Sequence, residues 1–189
     1  NLNNGQVHIL DTNGTWIKSI GGAPKTRMQA AHEAILALVT DSSLTSGVDY
    51  GFAYWSYTGS GFSRWNGNHK TGSGSATPCN LYNCLKVPIY KGGAAQIAKM
   101  IKTVNPGGGT DAMAFMNIAS QYYLNKTYSP IDKNSNCQKS YILVIGDGDW
   151  YNHNSAVSTA RNLYNNHGIS TFTVAFGTGI SSSGLRNFN

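Results

Sequence analysis

Three segments of this sequence concentrate oxygen-bearing side chains beside glycine: Asp11-Thr12-Asn13-Gly14-Thr15, Gly108-Gly109-Thr110-Asp111 and Asp147-Gly148-Asp149. Two carboxylates joined by hydroxyl and amide oxygens make the ligand shell of a hard cation, Mg²⁺ or Ca²⁺, with water filling the remaining positions. No Cys or His belongs to the set, which disfavours softer metals. The candidate ligands are Asp11, Asn13, Thr15, Thr110 and Asp147, with Asp111 and Asp149 as outer-shell candidates. Each piece alone has a plainer reading. Asp11 and Asn13 suit a turn, Thr110 or Asp111 suits a helix N-cap, and Asp147–Asp149 suits a solvated loop. The argument for a cation rests on all three occurring together at the ends of strands and the start of a helix.

The elements that must position them follow from pattern. Val7 to Leu10 is an apolar run closed by Asp11 and reads as a buried strand. Asp11 to Pro24 reads as a glycine-rich loop. Apolar residues from Arg27 to Thr40 fall at helical spacing after Pro24. Tyr50 to Tyr57 is aromatic and strand-like. A Gly/Ser/Asn-rich stretch, about residues 58–86, is too long for a plain connection and reads as an insertion. Val87 to Tyr90 suits a short edge strand, where Pro88 is tolerated. Helices are expected over Ala94–Val104, Asp111–Leu124 and Ser155–Asn166, and strands over Tyr141–Ile145 and Ile169–Phe176. Alternation of strand and helix predicts an α/β fold, a doubly wound and mostly parallel sheet with helices on both faces. Ligands of such sheets sit at the carboxyl ends of the strands, where the three segments fall.

The chain of 189 residues fits a single domain, 40% hydrophobic and only 12% charged, with Asn, Ser, Thr, Gly and eleven Tyr supplying the polarity. That balance suits an extracellular protein with long loops. Both ends read as cuts, so the chain is expected to be a fragment of a larger protein. The net charge of +6 comes from scattered cations: Lys86, Lys91, Lys99, Lys102, Arg27, Arg64, Arg161 and Arg186 form no basic run, which argues against nucleic acid. No apolar stretch approaches the roughly 18 residues that cross a bilayer, and no signal-peptide pattern is present. The three cysteines are an odd number. Cys79 and Cys84 share one loop without a nearby His, so a short disulfide is expected rather than zinc, implying an oxidising compartment. Cys137, expected at the opposite rim, is left free or paired outside the fragment.

The three segments together resemble the metal-ion-dependent adhesion site of von Willebrand factor A domains: Asp-x-Asn-x-Thr at 11–15, Gly-Gly-Thr at 108–110, and Asp147-Gly148 after an apolar strand. The family's first motif is usually Asp-x-Ser-x-Ser, so Asn13 and Thr15 depart from it; Asn13 offers a longer amide carbonyl, suited to Ca²⁺ and crowded for Mg²⁺. A narrower resemblance joins Ser129-Pro130-Ile131, Cys137-Gln138-Lys139-Ser140-Tyr141 and the helix ending Gln121-Tyr122-Tyr123 to type IV pilus tip adhesins of the PilY/PilC kind. The resemblance implies a secreted or cell-surface protein at a pilus tip, acting in surface attachment and in pilus assembly or retraction. It further implies a protein or surface ligand, with an acidic group reaching the metal, and contacts with minor pilus subunits.

Trp65 in the insertion and Trp150 beside the third segment are the candidate partner contacts, since exposed tryptophans anchor interfaces. His8, Tyr54, Trp55 and Tyr57 read as packing residues. Asn13-Gly14-Thr15 and Asn125-Lys126-Thr127 match the glycosylation sequon, a motif frequent by chance. The rival from another class is a Mg²⁺-dependent phosphatase of the haloacid dehalogenase type, with Asp11 as nucleophile. The general acid of that family would fall at Asn13, and an amide cannot transfer that proton. Glycines 107–109 follow neither phosphate-loop nor dinucleotide spacing, and no serine stands in a nucleophile elbow. The expectation is therefore a binding domain and not an enzyme.

Overall fold

Local chemistry explains most of the element boundaries. The computed structural model describes residues 8–10, 16–19, 26–54, 84–105, 112–146 and 153–175. In chain order these form β1 (His8–Leu10), β2 (Trp16–Ser19), α1 (Arg27–Thr40), α2 (Ser42–Thr45), β3 (Tyr50–Ala53) and β4 (Leu85–Tyr90). They continue as α3 (Gly93–Met100) with a 3₁₀ turn at Ile101–Thr103, α4 (Ala112–Tyr123), β5 (Tyr141–Gly146), α5 (His153–His167) and β6 (Ser170–Ala175). Helix α1 starts at a capping box: the Thr26 hydroxyl accepts from the Gln29 amide at 3.1 Å, and the Gln29 side chain accepts from the Thr26 amide at 2.8 Å. Two helical donors that would otherwise lack partners are satisfied in this way. Asp41 ends α1 and caps α2, and the Ser43 hydroxyl and amide on its carboxylate hold that group below the usual carboxylate range. Helix α5 closes at Gly168, whose φ of 67° is the left-handed conformation that glycine adopts at least cost.

Among the described residues the expected doubly wound parallel sheet is not formed. The described strands make three separate two-stranded sheets, β1–β2, β3–β4 and β5–β6, and only the last is parallel. Part of the reason is local. Trp16–Ser19, expected within a loop, is a strand that folds back antiparallel onto β1. In β4, Pro88 has no N–H, and the Ile89 amide donates to the Tyr122 hydroxyl at 2.8 Å. That stretch of β4 therefore offers no donor to a further strand. The β3–β4 register also shifts on both sides of Phe52. The insertion ends earlier than expected, because Leu85 and Lys86 already belong to β4.

Helix α4 packs between the two larger strand pairs. On one side Ala114 and Ile118 pack with Cys84, and Tyr122 packs with Leu85. On the other, Ala112, Phe115, Met116 and Tyr123 share a core with Val144 of β5, Ala156 and Leu163 of α5, and Ile169. A second core joins Val39 of α1, Val87 of β4, and Ile97 and Ile101 of α3 and its 3₁₀ turn. Gly93 is required there, since a Cβ would stand 1.7 Å from the Tyr50 carbonyl oxygen. Among the described residues, α4 and α5 cover the β5–β6 sheet on its Val144 face. Tyr141, Leu143, Phe172 and Val174 are exposed on the other, with the Tyr141 and Phe172 rings 6.0 Å apart.

Candidate functional site

The β5–α5–β6 unit sets the frame. Its two strands run parallel, Tyr141 opposite Ser170 and Gly146 opposite Ala175, with α5 as the crossover. Such a connection carries the chain back to the start of the sheet, so the helix runs antiparallel to both strands. Helix α4 packs against α5. The hydroxyl of Tyr123, its last residue, donates to the carbonyl of Tyr141, the first residue of β5, at 2.9 Å. Its first residue, the fully buried Ala112, joins the core that holds Val144 and Ala156. One core thus holds Ala112 of α4, Val144 of β5 and Ala156 of α5.

The candidate ligands Asp11, Asn13, Thr15, Thr110 and Asp147 all lie outside the described residues, as do Asp111, Asp149, Trp65, Trp150 and Cys79. Their chain neighbours are placed. Leu10 and Trp16 are opposed across the β1–β2 pair, and residues 11–15 lie between them in the chain. Ala112 and Gly146, both buried, adjoin Asp111 and Asp147 in sequence. Among the described residues no group of three or more His, Cys, Asp or Glu is assembled for a metal. No described helix is long and apolar enough to cross a membrane.

Of the cysteines, Cys84 is fully buried and disulfide-bonded, whereas Cys137 is an exposed free thiol. Cys137 lies in a loop tied by Gln138, whose side chain accepts from the Asp132 amide at 2.7 Å and donates to the Pro130 carbonyl at 2.9 Å. Ser129 closes the same loop by donating to the Tyr123 carbonyl at 2.6 Å. The Asn125 side chain accepts from the Thr127 and Tyr128 amides at 2.8 and 2.9 Å. Among the aromatics read as packing residues, Tyr54 is partly buried and its hydroxyl donates to the Asn105 carbonyl.

The hydrogen bonds of Tyr122 and Tyr123 and the burial of Lys86 were not legible in the sequence. Tyr122 and Tyr123 join β4 and β5 through α4; in the sequence they figured only as part of the helix end that resembles pilus tip adhesins. Burial raises both hydroxyls above the ordinary tyrosine value, Tyr123 to about 12, with the neighbouring Tyr122 adding to the effect. Lys86, read as one of many scattered cations, is half-buried in β4, and desolvation holds its ammonium down to about 8. No periodicity within four or six residues of strand could have separated it from a solvated lysine.

No protein-family model matches the chain, and no curated protein or solved structure matches it either.

Proposed function

We propose that this chain is a cation-dependent ligand-binding domain of a secreted or surface-exposed adhesin, at the tip of a type IV pilus, and that it carries no catalytic activity. The observation that carries the reading is the core shared by α4, α5 and β5, in which Ala112, the chain neighbour of Asp111, lies with Val144 and Ala156. Gly146, the buried last residue of β5, adjoins Asp147 in sequence. The reading does not need a doubly wound sheet; it needs the three oxygen-rich segments at one end of the molecule. Asp11, Asn13, Thr15, Thr110 and Asp147 would hold Mg²⁺ or Ca²⁺, with Asp111 and Asp149 orienting them from outside. Hard cations take at least six oxygens, so five side chains leave a position for exchangeable water, which a partner's carboxylate can replace. Trp65 and Trp150 would add contact area around the ion. Support also comes from the likeness of the three motifs to the adhesion site of A domains.

The test uses carboxylate-coated beads at physiological salt, where attraction from the net charge of +6 is largely screened. Retention is expected in Mg²⁺ or Ca²⁺, and loss is expected in chelator and in Asp11→Ala. Retention that persists in both makes the ion incidental and overturns the proposal. Hydrolysis of an aryl phosphate that Asp11→Ala abolishes would establish a phosphatase instead.

A further inference from the structure

We draw no further inference here: the strongest candidate, the outer face of the β5–β6 sheet where Tyr141, Leu143, Phe172 and Val174 stand exposed, carries nothing because nothing among the described residues shows what covers it.

Discussion

At the scale of single residues, burial of ionisable groups gives the molecule a distinctive alkaline profile. The Lys86 ammonium is held down to about 8 by desolvation, against about 10.4 in an unfolded chain. Between those values the unfolded state binds more protons than the folded one, so stability rises with pH. Below about 8 both states are protonated and the cost of burying the charge is fully present. The tyrosines act in the opposite sense. Tyr123 is pushed up to about 12, and Tyr54 and Tyr122 are raised as well, each first by desolvation. Above the ordinary tyrosine value of about 10 the folded state retains protons that the unfolded state releases, and stability falls. Thermal melts are therefore expected to rise from pH 8 toward pH 10 and to fall beyond it. Lys86→Met should flatten the rising limb and leave the falling limb in place. A rising limb that survives in Lys86→Met would assign it to another group.

At the scale of elements, α4 joins β3–β4 and β5–β6 where strand pairing does not. Tyr122 and Tyr123 supply the polar part of that joint by bonding the Ile89 amide and the Tyr141 carbonyl. Removing one partner leaves the other polar group partly buried without a hydrogen bond, which costs about 1–3 kcal/mol. Tyr123→Phe keeps the packing and is expected to lose about 1 kcal/mol in urea unfolding near neutral pH. An unchanged midpoint would mean that water replaces the bond and that the joint is apolar alone. The cysteines offer a separate check at this scale. Alkylation before reduction should label the exposed Cys137 and leave Cys84 unlabelled; Cys84 should label only after reduction. A Cys137 peptide recovered in disulfide linkage to Cys79 or Cys84 contradicts that assignment.

At the scale of the whole molecule, the longer helices were legible and most of the sheet assembly was not. Helix α1 has the limits its apolar spacing predicts, and α4 and α5 differ from expectation by only a few residues, because helical periodicity and capping are encoded locally. Strand partners are chosen by contacts distant in sequence. Trp16–Ser19 gave no signal strong enough against its glycine-rich surroundings, yet it forms the partner of β1. Pro88 warned that β4 lies at an edge, but nothing in sequence told that Tyr122 would take the next donor. The parallel β5–α5–β6 unit did follow from pattern, since two apolar runs flank a helix closed by Gly168. For the site, sequence supplied the residue types and the structure placed only the described neighbours of the three segments. Titration calorimetry with Ca²⁺ and Mg²⁺ on the intact chain and on Asp147→Ala tests the central claim most directly. The intact chain should bind one of the two ions. Asp147→Ala should lose that binding while its metal-free melting point stays the same or rises, because repulsion between Asp11 and Asp147 is relieved. Equal affinity in the two proteins, or no binding of either ion by the intact chain, would contradict the account.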